Sequence, residues 1–260
     1  MGDQLHQPCQ GRGFLYDPQL GHLVLCACIS AQCKCGGTYL YWAEDGRRLD
    51  CPCRRYRYGM RTIERHIAAA EVPKRYRWKL RSDFQTRTPD GTPVPQADKI
   101  LTSVARLVSA KEPPKRGLFL YGQPGTGKTL LGCIILNELM LHRGRPGQYL
   151  NLSADYFQRL RDTFSEESEE HGQSYSIMEH LGRVPYLLID DLGVQRNTEW
   201  EAEALYNLVE ARYSQERFTV VTTNQPLEEI KGLSRGRIYS RLAEMCHQVE
   251  MGGPDWRVGV

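Results

Sequence analysis

Residues Gly122-Gln123-Pro124-Gly125-Thr126-Gly127-Lys128-Thr129 fill every fixed position of a G-x-x-x-x-G-K-T phosphate-binding loop, and their neighbours narrow the fold further. The apolar run Leu118-Phe119-Leu120-Tyr121 precedes the loop, and the helix-forming segment Leu130 to His142 follows it. A loop joining a buried strand to a helix commits this part of the chain to an α/β fold that binds a nucleoside triphosphate. Glycines at 122, 125 and 127 let backbone N–H groups converge on phosphate, and the positive end of the helix starting near Lys128 adds to that field. Gly122, Pro124, Gly125, Thr126, Gly127, Lys128, Thr129 and Leu130 are the expected nucleotide-holding set. Lys128 is expected to reach the β/γ-phosphates, and Thr129 to offer its hydroxyl to Mg²⁺.

From residue 98 the pattern reads as helix 98–110, strand 117–121, helix 128–142, strand 147–152, helix 154–164, strand 185–190, helix 198–216 and strand 218–223. Such alternation predicts a parallel sheet with helices on both faces. The run Ser165-Glu166-Glu167-Ser168-Glu169-Glu170-His171-Gly172 is expected to be a solvated, mobile loop, because its like charges repel and bury nothing.

Tyr186-Leu187-Leu188-Ile189-Asp190-Asp191 is a buried strand ending in two carboxylates, a Walker B pattern. Asp190 is placed to hold Mg²⁺ through water and Asp191 to orient or deprotonate the attacking water. Paired aspartates that merely cap the next helix are the alternative. The strand Phe218 to Thr223 ends in Asn224, whose amide can position the water or the γ-phosphate; a plain turn before Pro226 is the other reading. Arg237 and Arg241 lie one turn apart on one helix face and have no acidic partner at helical spacing. Such arginines suit phosphate contact, in the same subunit or across to a neighbour's ATP, although surface solubility alone accounts for them too.

Ahead of this lies a different kind of sequence. Seven of the nine cysteines precede residue 54, in two similar halves that each read as a hairpin between cysteine corners. A P-loop protein works in a reducing compartment, where clustered cysteines more often bind metal than form disulfides. Cys33, Cys35, Cys51 and Cys53 supply the four thiolates of a tetrahedral Zn²⁺ site. His6, at H-x₂-C spacing, completes a second set with Cys9, Cys26 and Cys28; a single zinc, or His22 as the fourth ligand, remains open. Cys133 and Cys246 stand alone in apolar surroundings as small core residues. The expected organisation is a zinc-binding, partner-docking module over 1–60, a basic linker over 61–98 and the ATPase domain over 99–260. Between Arg54 and Arg81, ten Lys/Arg face only Glu64 and Glu71, interleaved with Tyr56, Tyr58, Tyr76 and Trp78. That is the composition of a single-strand groove, or of a solvated surface. No run approaches the roughly 18 apolar residues of a membrane span, and no signal peptide opens the chain, so a cytoplasmic protein is expected.

With P-loop, paired Walker B aspartates, the Thr-Thr-Asn strand end and the R-x₃-R helix in order, the chain from about residue 70 resembles the AAA+ ATPases of the DnaC/DnaI helicase-loader and IstB group. Only 19 residues follow Arg241, too few for the helical lid of most AAA+ proteins, and lidless chains are typical of this group. The resemblance implies an α/β AAA+ P-loop fold without a lid, Asn224 as sensor 1, Arg241 as arginine finger with Arg237 in support, and self-association of ATP-bound subunits in a spiral around single-stranded DNA. It also implies that Val72 to Tyr76 leads into the core and borders the adenine pocket, and that Phe164 touches DNA, with packing in the core as the equal alternative. Many AAA+ proteins carry Glu where Asp191 stands, which leaves the hydrolysis rate open. The cysteine module resembles that of loaders which grip a replicative DnaB-type helicase. The expected function is therefore an ATP-dependent helicase loader using ATP, Mg²⁺ and Zn²⁺. The alternatives are an IstB-like transposition helper ATPase and a zinc-containing adaptor that uses ATP as an assembly switch.

Overall fold

A computed structural model of the chain describes residues 8–88, 91–94, 96–152, 156–163, 165, 172–193 and 198–257. His6, Phe164 and all but the two ends of the acidic run lie outside the described residues.

The N-terminal cysteines fold as two hairpins. In the first, β1 (Phe14–Asp17) pairs antiparallel with β2 (His22–Leu25), and α1 (Ala27–Ser30) begins directly after Cys26. In the second, β3 (Leu40–Trp42) pairs with β4 (Arg48–Asp50), and α2 (Arg54–Ala69) begins directly after Cys53. Each hairpin bends where sequence demands it: Asp17 Oδ1 accepts from the Gln19 and Leu20 N–H groups at 2.8 and 3.2 Å, and Gly21 turns with φ +70°.

Helix α2 departs from the linker expectation. Its charged face conceals an apolar stripe, Tyr56, Met60, Ile63, Ile67 and Ala70, at helical spacing. Ile63, Ile67 and Ala70 are buried in the core that also holds Leu131, Ile134 and Leu188. The rest of 70–98 is stitched down as well. Asn137 Nδ2 donates to the Tyr76 and Lys79 carbonyls at 2.9 and 3.0 Å, and buried Glu138 pairs with Arg81 at 2.6 Å. Val72, Phe84 and Val94 join the same core.

Next come α3 (Ala97–Ser109), β5 (Gly117–Tyr121), α4 (Lys128–Arg143), β6 (Gly147–Asn151), α5 (Phe157–Asp162) and α6 (Ser174–Arg183). They are followed by β7 (Tyr186–Asp190), α7 (Glu199–Ser214), β8 (Phe218–Thr223), α8 (Leu227–Gly232), α9 (Arg237–Met245) and β9 (Cys246–Glu250). The strands form one parallel sheet in the order β6-β7-β8-β5-β9. Helices α2, α3 and α4 cover one face, and α5 to α9 pack a second core against the other. This is the expected α/β sheet, extended by the edge strand β9. Because β8 lies between β5 and β7, the ends of the P-loop strand, the Walker B strand and the strand leading to Asn224 open side by side.

Candidate functional site

Helix α4 starts at Lys128 behind Gly127, which takes φ +89°, and most of its residues are buried, so the P-loop is anchored to the centre of the molecule. Lys128 Nζ donates to the Gly122 and Gln123 carbonyls at 2.9 and 2.6 Å. Burial lowers its pKa to about 8, and nearby Arg257 acts in the same direction against the pull of Asp191 and Asp190. The ammonium is thus poorly solvated and parked on backbone oxygens that a phosphate would replace.

Asp190 sits 2 % exposed at the end of β7 and accepts three hydroxyl donors. Thr129 Oγ1 donates at 2.9 Å and Thr222 Oγ1 at 2.6 Å to one carboxylate oxygen; Tyr149 donates its OH at 2.8 Å to the other. Asp191 turns away with φ +60°, uncommon for a residue with a Cβ. Its side chain accepts from Asn224 Nδ2 at 3.1 Å. Burial raises the Asp191 pKa, and the adjacent Asp190 raises it further. The two aspartates therefore stand in different environments, one fixed by hydroxyls and one held as a more basic carboxylate beside an amide. Thr129, Asp190, Asp191 and Asn224 are brought together as the sequence reading expects. Tyr149 was not singled out and Thr222 was read only as part of the Thr-Thr-Asn strand end, because their bonds to Asp190 come from strand neighbours.

Above the loop is a cleft of about 350 Å³ lined by Tyr76, Phe84, Lys128, Thr129, Asn224, Trp256 and Arg257, among others. Trp256 and Arg257 were also missed. They arrive because β9 runs parallel to β5 and carries the chain across the P-loop: Met251 N–H donates to the Tyr121 carbonyl at 2.7 Å, and Trp256 N–H to the Gly125 carbonyl at 3.2 Å. The crossing explains Gly122, where a Cβ would lie 2.4 Å from the Met251 carbonyl oxygen.

Arg237 and Arg241 do not line this cleft. The expectation that both lack an acidic partner fails for Arg241, whose Nε donates to Glu210 Oε2 at 2.6 Å. The partner comes from α7, beyond the reach of helical spacing. Arg237 lies over the Tyr206 ring, 4.4 Å from its centroid, and makes no ion pair among the described residues.

In the cysteine module, Cys33, Cys35, Cys51 and Cys53 converge, with Sγ–Sγ separations of 3.6, 3.7, 3.5 and 4.0 Å for the pairs 33–35, 33–53, 35–53 and 33–51. Four sulfurs at about 2.3 Å from a common tetrahedral centre stand about 3.8 Å apart, so the donor set fits a zinc ion. Arg57 on α2 lies beside Cys53 and Cys33, a cation next to what metal binding makes an anionic cluster. Cys9, Cys26 and Cys28 form a second group, with 3.7 Å between Cys9 and Cys28 Sγ. His22 is not part of it; its Nδ1 lies 3.0 Å from the Leu20 carbonyl.

The family model for the IstB-like ATP binding protein matches residues 57–259. The chain belongs to this family. It is a AAA+ ATPase of the DnaC/IstB type, and its cysteine module lies almost wholly outside the matched span. The replicative helicase loader DnaC of Escherichia coli strain K12 is 34% identical over 121 residues, 46% of this chain and 47% of that protein. The chain thus spans about half the length of this relative. The phage-like element PBSX protein XkdC of Bacillus subtilis strain 168 is 26% identical over 225 residues, covering 83% of this chain and 78% of that one. Among solved structures, the DnaC helicase loader superposes with a TM-score of 0.59 at 21% identity, over 69% of this IstB-family chain and all of that one, a likeness of fold. Among the described residues, no helix of this family member is long and apolar enough to cross a membrane.

Proposed function

We propose that this chain is an ATP-dependent loader of a DnaB-type replicative helicase onto single-stranded DNA, acting in the cytoplasm as an oligomer assembled through its ATP sites. The observation that carries the reading is the division of the ATP machinery: one complete cleft, and an arginine pair on α9 that this cleft does not use. Arginines placed outside their own site suit a neighbour's nucleotide. The choice of helicase loader rests on the 34% identity to a protein of that name.

In this reading Thr129 and, through water, Asp190 would hold the Mg²⁺ that accompanies ATP, which would neutralise developing phosphate charge. Thr129 Oγ1 and the Asp190 carboxylate, hard oxygens 2.9 Å apart, fit that ion. Lys128 leaves its carbonyls for the β/γ-phosphates. Asp191 orients the attacking water and takes its proton, and its raised pKa makes it the better base. Asn224 holds Asp191 and the water in line. Arg241 reaches the adjacent subunit's γ-phosphate after parting from Glu210, supported by Arg237. Cys33, Cys35, Cys51 and Cys53 would hold one Zn²⁺, and Cys9, Cys26 and Cys28 with His6 a second, and the metal would keep together the module that docks on the helicase. Trp42, 72% exposed on β3, is a large apolar side chain available for that contact, as is Leu20, 59% exposed in the first hairpin.

Light scattering of the full chain mixed with its host's replicative helicase, with and without ATP, tests the reading. A shared peak that Trp42→Ala abolishes supports it. Failure to associate in any nucleotide state moves the reading to the IstB-like transposition helper, which the family's name favours and which predicts duplex binding.

A further inference from the structure

Four aromatic side chains are interleaved with the basic residues of 54–81, and three are already committed. Tyr56 packs so tightly over Gly13 that a Cβ there would lie 2.4 Å from its ring. Trp78 stacks on Tyr16 with centroids 4.6 Å apart and 10° between planes. Tyr76 lines the ATP cleft. Tyr58 remains, 51% exposed, and it has acquired a partner from the cysteine module: the rings of Tyr39 and Tyr58 stack at 5.8 Å and 22°.

We propose that this pair is a seat for single-stranded nucleic acid, outside the ATP cleft and independent of ATP. Its two ends carry guanidiniums, Arg54 at 5.7 Å from the Tyr58 centroid and Arg61 at 5.3 Å from that of Tyr39. Arginine outnumbers acid around the pair: from residue 44 to 65 there are seven arginines and no lysine against Glu44, Asp45, Asp50 and Glu64. Arg47 pairs with Asp45 and Arg54 with Asp50, and Glu64 accepts from the Leu23 N–H at 3.0 Å. Arg61 is exposed and makes no ion pair among the described residues. Planar guanidiniums stack on bases and pair with phosphate oxygens, whereas lysines offer only a point charge.

Tyr39 carries the strongest sign that the arrangement is built. Its φ is +71°, a region that ring-bearing residues seldom enter, and its carbonyl is tied there by the Cys51 N–H at 2.8 Å. The four-cysteine corner therefore fixes the ring in its stack. An unstacked base, which a duplex does not present, takes the outer face of a ring in place of the guanidinium over it, which is then released to phosphate; every base has such a face, so binding is tolerant of sequence. Tyr39 and Arg54 precede residue 57, where the family match begins, while Tyr58 and Arg61 lie just inside it on α2, so the seat joins the cysteine module to the first helix of the matched span.

Fluorescence anisotropy of a labelled oligo(dT) with the full-length protein in nucleotide-free buffer tests the proposal. Tyr58→Ala, a change at an exposed position, is expected to weaken binding about tenfold, while Tyr58→Phe retains it. Arg61→Gln is expected to lower the slope of log affinity against log salt by about 0.7, one phosphate contact on a single strand. An unchanged affinity in the Tyr58→Ala/Arg61→Gln double variant overturns the proposal, as does equal competition by duplex, or binding only with ATP. Loss of helicase association in that variant with oligo(dT) binding intact would make the face a protein dock and equally overturn it. None of these oligonucleotide readings depends on whether the wild-type chain binds a helicase.

Discussion

The ATPase core and the cysteine module are held together by different physics. The core buries α4 on nearly every side, between a five-stranded sheet and helices α2 and α3. The second lobe of the module has a far smaller cluster, whose buried members are Ile29 and three of its own cysteines, Cys35, Cys51 and Cys53. Apolar burial at about 25 cal/mol per Å² stabilises the first, whereas the second has too little to bury and depends on its metal. The two regions meet in α2, whose N-terminal end follows Cys53 and whose Ile63 and Ile67 lie in the ATPase core. A helix shared in this way transmits position between them without sharing the source of stability.

Metal removal is the largest expected break in that comparison. Structural zinc contributes about 10–16 kcal/mol to small modules, so a strong chelator is expected to unfold residues 33–53 while α2 stays docked with Phe14 and Leu23 of the first hairpin, which share its core. Native mass spectrometry of zinc per chain, followed by ATP-analogue binding after chelation, checks this. ATP binding lost together with the metal would show one folding unit rather than two. Next in size, Lys128→Ala is expected to weaken ATP binding at least about 100-fold, because it removes the cation aimed at the β/γ-phosphates, and to leave zinc content unchanged. Asp191→Asn should keep ATP binding and slow hydrolysis about 100-fold or more in single-turnover assays. Turnover near the wild-type rate in this variant would remove Asp191 as the base.

The same division governs what could be read from the chain. The P-loop, the paired aspartates and the strand before Asn224 follow fixed spacings, and strands 117–121 and 218–223 fall where expected. Helix α2 was hidden because ten Lys/Arg between 54 and 81 dominate its composition, although Tyr56, Met60, Ile63, Ile67 and Ala70 keep the period of a buried face. Strand β9 gave no signal: His247, Gln248 and Glu250 are polar because an edge strand needs only part of itself buried. Once β9 was missed, so were Trp256 and Arg257, whose place over the P-loop follows from its pairing with β5. Glu210 is 31 residues from Arg241, and no local pattern joins them.

A smaller effect separates the charge states of the empty and filled cleft. Lys128 is held down to about 8 by burial in the free protein, and bound phosphates raise it. The sign follows: below pH 8 the lysine is charged in both states, and above it the free protein has lost a proton that the complex regains. ATP affinity is therefore expected to be full at pH 7 and to fall as pH rises through 8. Binding should take up about one proton at pH 9 and almost none at pH 6.5, read by titration calorimetry in buffers of different ionisation enthalpy. A proton count independent of pH would show that the lysine is already fully charged when the cleft is empty.

The smallest effect concerns Arg241. Its pair with Glu210 is partly exposed, with side chains 30% and 37% accessible, so water and salt weaken it. Glu210 also raises the Arg241 pKa, so the guanidinium stays charged whether or not the pair is closed. What the pair can change is the guanidinium's availability to a neighbour. Glu210→Gln keeps the side-chain shape and removes the charge, and is expected to lower the protein concentration for half-maximal turnover by on the order of two- to fivefold. Arg241→Ala should instead abolish the concentration-dependent part while single-subunit ATP binding persists. If turnover per subunit in the wild type does not depend on concentration, the α9 arginines serve no neighbour, and Glu210 is only a surface partner that fixes α9 against α7.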